Sequence, residues 1–106
     1  MTRALVNVPK TAKRGEIIEI RAMIQHVMET GYREGVNGVV IPRNIIKRFV
    51  CKYGAEEIFS AELFPAIAAN PYMAFSAVAA ESATVTFEWT DDKGETQTTS
   101  AEVAVT

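Results

Sequence analysis

The chain has 106 residues, a net charge of −2 and 48% apolar residues. That length makes one domain, residues 1–106, with a core that needs no disulfide, and the apolar share excludes a disordered chain. The charge offers no basic patch for nucleic acid, no run approaches the roughly 20 apolar residues of a membrane span, and one cysteine excludes an intrachain disulfide and any multi-cysteine zinc site.

Residues Thr2 to Val8 are β-prone and are stopped by Pro9, which fits an edge strand. After Gly15, the residues Ile18, Ile20, Ala22 and Ile24 alternate with Glu19, Arg21, Met23 and Gln25. A period of two predicts a half-buried strand. From Val27 to Ile41 the alternation breaks, and Gly31, Gly35 and Gly38 punctuate a long loop. Asn37–Gly38 is a turn signal ahead of Val39, Val40 and Ile41. Loops of this length often carry function.

The stretch Pro42 to Gly54 carries the only cysteine. Strand alternation puts Ile45, Lys47, Phe49, Cys51 and Tyr53 on one face and Ile46, Arg48, Val50 and Lys52 on the other. Phe49, Cys51 and Tyr53 mark the core side. A further strand runs from Glu56 to Leu63, with Phe59, Ala61 and Leu63 alike, and Pro65 ends it. Ala66 to Ala69 fits one helical turn, broken by Asn70–Pro71. The alanines of Tyr72 to Ala80 allow helix, but the flanking β pattern favours strand.

The C-terminal element is a hairpin. Val85, Phe87 and Trp89 alternate with Thr84, Thr86, Glu88 and Thr90. A three-residue loop, Asp92-Lys93-Gly94, pairs Asp91 with Glu95 and sets Val85 opposite Ala101. Val103 and Val105 then share the Trp89 face. One residue of slip would reverse every side chain. The pattern predicts an all-β protein, an immunoglobulin-like antiparallel β-sandwich of about seven strands.

Chemistry has few places to sit. His26 is the only histidine, so neither a copper site with two histidines and a cysteine nor a two-histidine iron triad can form. A His26–Cys51 nucleophilic pair would need Cys51 exposed and acidified, and strand parity buries it. Asp91–Asp92 and Glu56–Glu57 are adjacent pairs whose side chains diverge along a strand. They read as solvated turn charges. No catalytic, metal or cofactor site is expected. Asn70–Pro71 followed by Tyr72 reads as a structural corner or a partner-facing turn.

Five segments carry a resemblance. His26-Val27-Met28-Glu29-Thr30-Gly31-Tyr32-Arg33, Ile41-Pro42-Arg43, Arg48-Phe49-Val50-Cys51-Lys52-Tyr53, Phe64-Pro65-Ala66-Ile67-Ala68-Ala69-Asn70-Pro71-Tyr72 and Phe87-Glu88-Trp89-Thr90-Asp91-Asp92 together resemble the SoxZ family. They follow the family's order over nearly the whole chain. The family commonly has proline after the histidine, where this chain has Val27.

The resemblance implies a sandwich paired with SoxY, as a heterodimer or higher assembly, in the periplasmic SoxYZ carrier of thiosulfate oxidation. SoxY holds the sulfur on a cysteine of a glycine-rich C-terminal arm. The stretch Ala101 to Thr106 has neither glycine nor cysteine, so the expected role is a non-catalytic support for SoxY, with transient docking of other Sox enzymes. The family lacks its own export signal and travels with a signal-bearing partner, which fits the plain N-terminal stretch.

The expected contact residues are His26, Met28, Glu29 and Arg33 in the loop, and Ile46 and Val50 on the face away from Phe49. Met28 would adapt to a partner surface and Arg33 would clamp a carboxylate. The competing expectation is that the loop caps its own sandwich and that Ile46 and Val50 are covered within the chain. Two other functions stay open: a stand-alone binding module, and a thiol enzyme using Cys51.

Overall fold

The computed structural model describes residues 3–26, 28, 31–32, 34–63 and 71–106. Among these residues, eight strands form two sheets: β1 Ala4–Asn7, β2 Thr11–Ala12, β3 Ile17–Ile24, β4 Ile46–Tyr53, β5 Glu56–Glu62, β6 Tyr72–Val78, β7 Ala83–Asp91 and β8 Thr96–Val105. The three-stranded sheet has the order β1-β3-β6 and the five-stranded sheet β2-β8-β7-β4-β5. All pairings are antiparallel except β2–β8. Pro9 lies where the chain leaves β1 in one sheet for β2 in the other. This is an immunoglobulin-like sandwich.

Alternation explains most of it. Ile18, Ile20, Ala22 and Ile24 face the core from β3, and Val85, Phe87 and Trp89 from β7. The hairpin has the expected register: Val85 pairs with Ala101, the Asp91 N–H donates to the Glu95 carbonyl at 3.0 Å, and Gly94 takes φ +82°. Val103 is buried on the Trp89 side and Val105 packs against the same core. Tyr72 to Val78 is a strand, with Met73, Phe75 and Ala77 turned inward. The helical turn expected over Ala66 to Ala69 lies outside the described residues.

Phe49 sits at the centre, fully buried. Its ring meets Phe59, Phe75, Phe87 and Trp89 at centroid distances of 5.3–6.3 Å. Burying an aromatic side chain of this size contributes about 1.5–3 kcal/mol, and tilted ring pairs add to it. Tyr53 is buried with its hydroxyl donating to the Glu81 carbonyl, so the polar tip is satisfied.

Two β-bulges alter the expected parity. The β4–β7 ladder shifts between Ile46 and Arg48, leaving Lys47 as the extra residue. Ile46 therefore turns into the core, 2% exposed, beside Ile45. The expectation that it faces away from Phe49 is wrong for this reason. The β4–β5 ladder shifts between Cys51 and Lys52, so Ile58 and Phe59 both pack against the core.

Candidate functional site

The segment between β3 and β4 was the sequence's main candidate for partner contact. Its first residues fold back onto their own sandwich. Met28 takes the left-handed φ of +55°, a conformation that costs a non-glycine residue. Its N–H donates to His26 Nδ1 at 3.2 Å. Its thioether accepts the Ile46 N–H at 3.2 Å, and the side chain is 4% exposed within the core cluster. Met28 is thus a plug joining the end of β3 to the start of β4. Its expected place on a partner surface is overturned: the unbranched thioether fills a gap in its own core. His26 is half-buried. Glu29 and Arg33 lie outside the described residues.

The loop's other end is held by charge. Gly31 has φ +88° and approaches Arg43 so closely that a Cβ there would lie 3.1 Å from the Arg43 Cβ. Arg43 reaches the β7–β8 turn and grips Asp92 with two parallel bonds, Nε to Oδ2 at 2.8 Å and Nη2 to Oδ1 at 2.7 Å. Asp92 Oδ2 also accepts the Ile45 N–H. The Arg43 guanidinium holds the Asp92 carboxyl below its ordinary range, against the opposing effect of desolvation. Asp91 caps its own turn, with Oδ1 accepting the N–H groups of Lys93 and Glu95 at 2.9 Å. The two aspartates do diverge, but neither is simply a solvated charge.

Between these anchors the loop presents apolar side chains to solvent. Tyr32, Val36, Val39 and Val40 are exposed. The turn is a single 3₁₀ turn, Val36–Gly38, with Asn37 at φ +62°, and a bridge pairs Glu34 with Val40. Val50 does face away from the core, between Ser60 and Glu88 on the flanking strands. It is 8% exposed, so it offers a partner little area.

The family model described as "Sulphur oxidation protein SoxZ" matches residues 6–102. The chain belongs to the SoxZ family. No curated protein sequence matches this member of the SoxZ family. Solved structures similar to it include a superoxide reductase (neelaredoxin) from Ignicoccus hospitalis, at TM-score 0.75 and 13% identity, covering 99% of this chain and 82% of that one. They also include the sulfur carrier protein SoxY from Chlorobium limicola f thiosulfatophilum, at TM-score 0.67 and 11% identity, covering 96% of this chain and 74% of that one. At such identities the likeness is one of fold.

The SoxZ-family chain keeps its one thiol out of reach. Cys51 is fully buried, between Phe59 and Phe87 on the neighbouring strands. Burial pushes its pKa up to about 12, since a thiolate there would lack solvation. Among the described residues no three His, Cys, Asp or Glu side chains group as metal ligands. Sequence reasoning missed Arg43 and Asp92 as a pair. Both lie in family-like segments, but 49 residues separate them, and no local pattern signals such a contact.

Proposed function

We propose that this chain is the non-catalytic subunit of a SoxYZ sulfur carrier, pairing with SoxY in periplasmic thiosulfate oxidation. SoxY would carry the sulfur on its C-terminal cysteine arm, and this subunit would support it and help form the surface on which other Sox enzymes dock. The observation that carries the reading is membership of the SoxZ family over residues 6–102. The state of Cys51 supports it. A sulfur carrier needs an accessible thiolate, and this thiol is buried and protonated at neutral pH. The anchored loop fits a scaffold role, because Met28 and Arg43 pre-set the backbone that presents Val36 and Val39. Preorganisation lowers the ordering cost of binding.

Co-expression with SoxY tests the pairing. The two chains should co-purify, and sulfur should be found on SoxY and not on Cys51. Recovery of SoxY alone, or sulfur bound to Cys51, would sink the reading. Periplasmic location is tested by fractionation: this chain should be found in the periplasm together with SoxY.

A further inference from the structure

Among the described residues, one side of the sandwich has unpaired strand edges. Strand β6 has β3 as its only neighbour among the described residues. Its ladder bonds come from odd-numbered residues. The Pro71 carbonyl accepts from Ile24, and Ala79 exchanges bonds with Gly15 and Glu16. Tyr72, Ala74, Ser76 and Val78 therefore turn their backbone N–H and C=O groups away from the sheet.

Edge strands are normally guarded by charge, proline or a bulge. β6 has no charged residue and no proline, and its register with β3 is unbroken. Tyr72 and Val78 are also exposed on its outer face. On the inner side, Phe75 is only half-buried and stacks on Phe59 of β5 at 4.4 Å. β5 and β6, the edge strands of the two sheets among the described residues, thus lie along the same side of the sandwich. A groove of about 650 Å³ runs between them, with Ile58 and Ala77 in its wall and Glu56, Glu57 and Glu81 at its rim.

We infer that the outward edge of β6 receives a strand of the SoxY partner, which completes the three-stranded sheet and covers the Phe59–Phe75 seam. The inference rests on the pairing proposed above and names the surface that makes it. The occupant is an extended segment, uncharged where it pairs, with apolar side chains facing Phe75 and a basic residue near Glu56 and Glu57. Backbone bonds supply the attraction and the alternate side chains the selectivity, as in other strand additions. A second copy of this chain fits less well. Antiparallel pairing of two β6 strands would run two β5 edges past each other, each carrying Glu56, Glu57 and Glu62.

The test compares two prolines in the complex with SoxY. Ser76→Pro removes one outward N–H and leaves the β3 ladder intact. Ser100→Pro does the same on β8, where Ala104 and Thr106 show that even-numbered residues point away from β7. Ser76→Pro should weaken SoxY binding by about tenfold or more, and Ser100→Pro should not. In the wild-type protein, the amides of Tyr72, Ala74, Ser76 and Val78 should exchange with deuterium at least about tenfold more slowly once SoxY is bound. Wild-type affinity in a folded Ser76→Pro variant overturns the inference, as do unchanged exchange rates at these amides. If Ser76→Pro does not fold, the exchange measurement decides alone. A homodimer that Ser76→Pro dissolves would overturn the choice of occupant. If the wild-type chain forms no complex with SoxY at all, the pairing itself falls and takes this inference with it.

Discussion

Ile46 and Met28 meet through one bond across 18 residues of sequence: the Ile46 backbone N–H donates to the Met28 thioether at 3.2 Å. The bond ties the start of β4 to the end of β3. Both side chains are in the core. Met28→Ala should therefore destabilise the isolated chain by about 2–5 kcal/mol, as buried methionine truncations do. It also leaves a buried N–H without an acceptor. Met28→Leu keeps the volume but loses the same acceptor, so it should cost about 1–3 kcal/mol, less than Met28→Ala. Urea unfolding of the two variants measures the difference. An unchanged midpoint for Met28→Ala would show that the plug contributes nothing.

Cys51 should behave as a small apolar residue. Its pKa of about 12 leaves almost no thiolate near neutrality. Alkylation of the folded protein should be very slow compared with the urea-unfolded chain. Cys51→Ala should cost about 1–2 kcal/mol through lost packing and leave SoxY binding intact. Rapid labelling under native conditions would contradict this.

The Arg43–Asp92 pair sets a pH dependence. Arg43 lowers the folded-state pKa of Asp92, so the unfolded chain binds that proton more readily. The contribution is fully present above the unfolded value of about 3.9 and is lost as pH falls through the folded value. Asp92→Asn should lower the melting temperature at pH 7. The gap from wild type should narrow in strong acid, and salt should shrink it as well, since Arg43 is half-exposed. A gap that is constant from pH 7 to pH 2 would show that charge is not the cause.

Phe49 touches four other rings. Phe49→Ala should cost about 3–5 kcal/mol, a large part of the roughly 5–15 kcal/mol that holds an ordinary domain folded. Circular dichroism of the purified variant would check it. A loss under 1 kcal/mol would mean that the core re-closes around the cavity.

Much of this molecule could be read along the chain. Alternation along β3, β6, β7 and β8 is local, because successive side chains on one strand must point to opposite faces. The Asp92-Lys93-Gly94 loop then set the terminal register, since a two-residue loop would set Val85 opposite Glu102 and take Val103 off the Trp89 side. The segments resembling SoxZ indicated the family. Four things needed the tertiary structure. Ile46 turned inward because a bulge arises between two strands, and β4 alone does not show where β7 will shift. Met28 became a core plug because the gap it fills lies between elements far apart in sequence. The same distance hid the Arg43–Asp92 clamp. The β6 edge, which no described strand pairs, is of this kind too: a strand's composition shows that it pairs, but which side is left over depends on how many neighbours the folded sheet supplies.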